Sequence, residues 1–154
     1  MNVHTARVSW ERGEGEAFTD LRFARGHEWS FDGGLRVRAS ASPHVVPRYS
    51  DPSGIDPEEA FVASLSSCHM LTFLWLAAKA GRVVDRYEDV AEGALERTPD
   101  GRTWMARVTL RPRVTWGAPG APDPETLAEL HHRAHVECFI ANSVRTDVRC
   151  EPAA

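Results

Sequence analysis

Apolar and polar residues along the chain change period several times, and each change predicts an element. Val3 to Trp10 has the β-branched and aromatic character of a first strand, followed by an acidic Gly/Glu turn over Glu11 to Glu16. Glu28 to Phe31 and Leu35 to Ala39 read as strands flanking Asp32-Gly33-Gly34, where glycine permits the positive φ of a tight hairpin. Leu35, Val37 and Ala39 alternate with Arg36 and Arg38, the pattern of an antiparallel strand with one wet face. Ser42 to Gly54, with Pro43, Pro47 and Pro52, is a connection.

A long helix then opens with a clear signal. Asp56 can cap it, Pro57 suits the first helical position, and Glu59 falls three residues after the cap as in a capping box. Lys79-Ala80-Gly81 supplies a stop. The result is a helix of about 24 residues, roughly 36 Å long at 1.5 Å per residue. Its segment Val62 to Ala78 carries no formal charge, yet it holds Ser64, Ser66, Ser67, Cys68, His69 and Thr72. It also falls short of the about 20 residues that span a bilayer. Burial inside protein is the better reading, and a small domain lacks the material to cover such a helix alone. A homodimer is therefore expected, with no membrane partner.

Val83 to Glu96 and Thr103 to Trp116 predict two further strands around a Pro99-Asp100-Gly101 turn. In the second, Trp104, Ala106, Val108 and Leu110 alternate with Met105, Arg107 and Thr109. Asp123 and Pro124 repeat the cap-plus-proline start, and Leu127, Leu130, Ala134, Cys138 and Ala141 then mark one buried helical stripe. Val144, Thr146, Val148 and Cys150 alternate as a last strand. Strands interrupted by two helices predict an α+β class, with largely antiparallel sheet packed on a long central helix.

Composition narrows the function. The 154 residues fit a single domain, 1–154, and the 42% hydrophobic and 26% charged shares exclude collagen-like and low-complexity chains. A formal charge of -4, scattered in both signs, lacks the concentrated basic footprint that nucleic acid needs. Cys68, Cys138 and Cys150 are too few and too dispersed for a disulfide framework, and no apolar run follows a basic start near Met1. A reducing, cytoplasmic location is expected.

Candidate chemistry centres on sulfur. Cys68 alone reads as a small buried hydrophobe, and so does Cys138. Two cysteines, one on each helix, become a nucleophile and a resolving thiol if the helices cross at disulfide distance. The competitor is a metal: His131, His135 and Cys138 have ligand spacing on the second helix. They are unaccompanied by a CxxC or HExxH pattern, and the three histidines interrupt a face that leans to solvent, so neither a metal nor another cofactor is expected. No phosphate-cradling glycine loop and no GxSxG elbow occurs. Arg107, Arg111 and Arg113 read as the wet face of a strand.

Two segments carry a resemblance. Gly54 to Cys68 (GIDPEEAFVASLSSC) resembles the G-T-N-P-E-x-L-x-A-A-x-x-x-C segment of the OsmC/Ohr family of thiol peroxidases, and Ala134 to Ser143 (AHVECFIANS) resembles its A-H-x-x-C-P-x-S-N motif. The resemblance implies an intertwined homodimer that reduces organic hydroperoxides to alcohols at the expense of a thiol or dithiol reductant. By the match Cys68 is the peroxidatic cysteine and Cys138 the resolving one. Glu58 falls on the family acid and Arg25 on the family arginine, with Arg22 and Arg12 as rivals. Ten helical residues are about 15 Å of rise, so Glu58 of one chain would serve the Cys68 of an antiparallel partner. An apolar substrate wall is expected from Phe61, Leu65, Phe73 and Phe139, with His69 beside the thiol. Asp56 for Asn, Phe61 for Leu and Phe139 for Pro mark a divergent branch, and a binding or structural protein without peroxidase turnover is the alternative. Cys150 is expected to stay outside the chemistry.

Overall fold

In a computed structural model describing residues 1–153, the chain is an α+β protein that divides into two compact units, Met1–Ala60 and Phe61–Ala154. The first unit contains β1 (Ala6–Ser9), β2 (His27–Phe31) and β3 (Arg36–Ala39) in one antiparallel sheet of order β1-β2-β3. Gly34 closes the β2–β3 hairpin at φ 85°, with its N–H donated to the Phe31 carbonyl. The connection that follows returns to the sheet at Ile55, which bridges Ala39 in parallel.

Helix α1 (Pro57–Lys79) begins as its sequence predicts. The Asp56 carboxylate accepts the Glu59 N–H at 2.7 Å, and the Glu59 carboxylate accepts the Asp56 N–H at 3.0 Å. Two otherwise orphaned donors are thereby satisfied. Asp56→Ala is expected to cost about 1 kcal/mol, read as a lower urea midpoint at unchanged slope. An unchanged midpoint would show that the cap contributes nothing.

In the second unit α1 is joined by β4 (Val84–Asp89), β5 (Glu92–Arg97), β6 (Thr103–Leu110), β7 (Pro112–Trp116), α2 (Pro124–Glu137) and β8 (Asp147–Cys150). The two long strands predicted over 83–96 and 103–116 are each broken in two. β4 pairs with β7, whereas β5, β6 and β8 form a separate sheet of order β5-β6-β8. The break has a physical cause. Pro112 has no N–H to offer a ladder, and the neighbouring Arg111 N–H is donated to the Asp89 carboxylate at 2.6 Å instead. All pairings are antiparallel except β6–β8, which runs parallel.

Two apolar clusters fix α1. Phe73, Leu76 and Ala77 pack with Leu130 and Ala134 of α2, backed by Tyr87, Val114 and Trp116. Two to three turns earlier, Leu65 packs with Val108 and Leu110 of β6, flanked by Phe61, Val62, Val144 and Val148. Burying a Leu or Phe side chain stabilises by about 1.5–3 kcal/mol each. Gly93 lets β5 close on this helix: a Cβ there would stand 2.6 Å from Val62 and 2.7 Å from Met105. The α1 helix has the length and hydropathy of a membrane span, but Leu65, His69, Phe73, Leu76 and Ala77 form a stripe buried in protein. The face carrying Ser67, Leu71 and Trp75 is exposed.

Candidate active site

Helix α2 ends at Cys138, one residue beyond its last helical position, so this cysteine caps the buried stripe rather than continuing it. A short turn then wraps the sulfur. The Ala141 N–H is donated to Cys138 Sγ at 3.4 Å, and the Asn142 N–H to the Cys138 carbonyl at 3.0 Å. Asn142 Nδ2 reaches the Val136 carbonyl at 2.7 Å and Ser143 Oγ the Phe139 carbonyl at 2.7 Å. These bonds explain why an Asn-Ser pair belongs four and five residues after the cysteine: both side chains pin the turn that presents it.

Near this turn lies Cys68, half-buried in the middle of α1 and close enough to Cys138 to influence its ionisation. Both are free thiols. Burial pushes the Cys138 thiol up to about 11, and the contact with Cys68 adds to it, while the Ala141 N–H works in the other direction. Two reduced sulfurs, one in α1 and one at the end of α2, thus lie near each other, an arrangement consistent with redox chemistry.

One helical turn from Cys68 an open groove of about 580 Å³ is lined by Leu71, Thr72, Trp75, Glu137, Phe139 and Asn142. Thr72 Oγ1 is donated to the Cys68 carbonyl at 2.9 Å, which ties the groove wall to the cysteine's own turn. Of the four residues expected to form an apolar wall and the histidine expected beside the thiol, Phe139 lines this groove and is 83% exposed. Leu65 and Phe73 are buried in separate clusters, Phe61 packs beside Leu65, and His69 points elsewhere. Leu71 and Trp75 were readable from the sequence as the i+3 and i+7 neighbours of Cys68.

His69 is 1% exposed and faces His131, Nε2 to Nδ1 at 3.2 Å. Cys150 Sγ lies 3.7 Å from the first nitrogen and 3.6 Å from the second. The sequence reading of His131 as part of a solvent-leaning face is therefore corrected, and the ligand set drawn on α2 alone is not assembled. His131 is buried and turned toward α1 and β8 because it stands four residues after Leu127 and three before Ala134, inside the apolar arc. Desolvation lowers both imidazoles to about 4, with the neighbouring histidines adding to the effect at His69. Burial pushes Cys150 up to about 12, and the Asp89 and Glu151 carboxylates raise it further.

In the first unit Arg25 is half-buried, its guanidinium 3.5 Å over the Phe23 ring and donating to the Leu21 carbonyl at 3.2 Å and to that of Phe23. With Val8, Trp10, Phe23 and His27 it lines a shallow apolar depression. Its rivals Arg12 and Arg22 are exposed. Glu58 is half-buried in the first turn of α1.

The sequence from residue 50 to 152 matches the family model described as OsmC-like protein. An OsmC-like protein of unknown function from Vibrio cholerae is 50% identical, with TM-score 0.96 over 99% of this chain and 100% of that one. The organic hydroperoxide resistance protein OhrB of Bacillus subtilis shares the fold at 22% identity and TM-score 0.68, over 97% and 98% of the two chains. An organic hydroperoxide resistance protein from Elizabethkingia anophelis does so at 16% identity and TM-score 0.70, over 99% and 94%. No curated protein matches the chain.

Proposed function

The chain belongs to the OsmC-like family, and from that membership together with the proximity of Cys68 and Cys138 we propose that it is a thiol-dependent peroxidase acting on organic hydroperoxides. That proximity carries the reading. Cys68, as thiolate, attacks the terminal peroxide oxygen, the O–O bond breaks, and the departing alkoxide takes a proton to leave as alcohol. Cys68 becomes a sulfenic acid. The Cys138 sulfur then displaces its hydroxyl as water, closing a disulfide that two reducing equivalents from an external thiol or dithiol reopen.

Arg25 is the proposed charge partner of the thiolate, with Glu58 fixing its geometry, because a guanidinium stays charged and its planar fork can be held by a carboxylate. The substrate's apolar part is assigned to the Leu71–Trp75–Phe139 groove. This reading takes the protein to work in the cytoplasm as a homodimer, a second copy closing the groove. Leu71, Trp75 and Phe139, at 61%, 52% and 83% exposure, support it as an apolar face left uncovered in one chain.

The test of activity is oxidation of a dithiol by purified protein. Cumene hydroperoxide should be consumed much faster than hydrogen peroxide; equal, near-background rates would instead favour an apolar-ligand-binding role for the groove. The test of assembly is sedimentation equilibrium at micromolar protein. Wild type should run as a dimer and Trp75→Glu should dissociate at least about tenfold more readily, since a charge in an apolar contact must be desolvated. A wild-type species of 17.1 kDa alone would refute the dimer.

A further inference from the structure

The redox reading leaves one cluster unused. His69 from α1, His131 from α2 and Cys150 from β8 bring three polar atoms together within 4.8 Å of one another. Every polar contact that either imidazole makes among the described residues is within this triangle; His69 Nδ1 and His131 Nε2 have no partner. The edges are 3.2 Å between nitrogens and 3.6 and 3.7 Å from sulfur to nitrogen. A tetrahedral zinc ion, with Zn–N of about 2.05 Å and Zn–S of about 2.3 Å, sets its ligands about 3.3 Å apart for N–N and about 3.6 Å for N–S. The triangle therefore already has the dimensions of one face of a zinc coordination sphere.

We propose that His69 Nε2, His131 Nδ1 and Cys150 Sγ form a binding site for a single Zn²⁺ ion. The ligand chemistry selects it: two imidazoles and one thiolate are borderline donors that suit zinc, not magnesium or calcium, which take oxygen. Zinc replaces the Cys150 proton, so one proton leaves to solvent for each ion bound. The surroundings favour the charged product. Asp89 lies within electrostatic reach of Cys150 and His69 and adds negative charge near a cation. The Tyr87 hydroxyl, buried and without a partner, lies within electrostatic reach of the same sulfur. Phe73 stacks on His131 with centroids 4.4 Å apart and holds that ring in place. Three ligands from protein leave the fourth position open, and the ion would join α1, α2 and β8 at one point.

The experiment uses the whole chain, stripped with a chelator and titrated with Zn²⁺, and with Co²⁺ as a spectroscopic substitute. One ion per chain is expected, with a thiolate-to-cobalt charge-transfer band and a rise in Tm. Cys150→Ser should remove the band and weaken binding at least about a hundredfold, whereas the double variant Cys68→Ser/Cys138→Ser should keep both band and stoichiometry. Absence of one-to-one binding, a band that survives Cys150→Ser, or a band lost in the double variant would overturn the site. A readout on wild type guards against a variant that fails to fold: Zn²⁺ should shield Cys150 from alkylation while leaving Cys68 reactive. Cys150 labelling unchanged by Zn²⁺ would overturn the proposal by itself. None of these measurements involves peroxide, so the metal site and the peroxidase reading stand or fall separately.

Discussion

Cys68→Ser is expected to lower organic hydroperoxide consumption at least about a thousandfold, equivalent to roughly 4 kcal/mol of barrier, because a serine hydroxyl at neutral pH is no substitute for a thiolate nucleophile. Cys138→Ser should behave differently. It can complete one attack, but with no neighbouring thiol to condense with, Cys68 remains a sulfenic acid and climbs to the irreversible sulfinic state under further peroxide. Mass spectrometry after one equivalent of organic hydroperoxide separates the cases. Wild type should lose two hydrogens and yield a peptide linking Cys68 to Cys138, and Cys138→Ser should gain oxygen at Cys68. Cys150→Ser should retain turnover to within about twofold, since its sulfur faces the imidazole pair. A linked peptide containing Cys150 would refute the assignment of roles even if turnover were found.

The buried histidines should make the metal-stripped protein acid-sensitive at a pH where its carboxylates are still ionised. Desolvation lowers His69 and His131 to about 4 in the folded chain, against an ordinary value near 6.5. Between those limits the unfolded chain binds more protons than the folded one, so stability rises with pH across the window. The contribution is complete above about pH 6.5 and is lost as the pH falls toward 4. At about pH 5 the loss is on the order of 2 kcal/mol for each imidazole. Urea unfolding at about pH 7 and about pH 5 should show a clearly lower midpoint at the lower pH, and His131→Phe should flatten the difference. Equal midpoints in wild type would mean that the pair is hydrated or opens freely.

Much of this was legible beforehand, for reasons that differ from element to element. Asp56-Pro57 and Asp123-Pro124 announce their helices because capping is local: a carboxylate and the N–H groups within three residues of it suffice. The dithiol was legible because each cysteine sits in a motif whose other members shape its surroundings, Asn142 and Ser143 above all. What the chain hides is where a continuous β pattern changes sheet. Val90-Ala91, where β4 gives way to β5, is no turn signal, and the switch depends on Asp89 bonding the backbone of Arg111, a contact of 22 residues' separation. The imidazole–thiol cluster is hidden for the same reason: its members are 62, 19 and 81 residues apart in their three pairings. His132 and Arg133, both exposed beside it, draw the eye away from the arc that His131 shares with Leu127 and Ala134.

The parallel docking of β8 on β6 also orders events during folding. Cys150 follows every other member of the clusters described above, and its strand registers on Leu110, forty residues earlier. A chain can close the β5–β6 hairpin through neighbouring residues, but the seating of β8 must bring together positions forty residues apart. Until β8 docks, His69 and His131 lack the third member of their cluster. That strand therefore acts as a latch on the second unit, completing the imidazole–thiol triangle only when the parallel pairing is made.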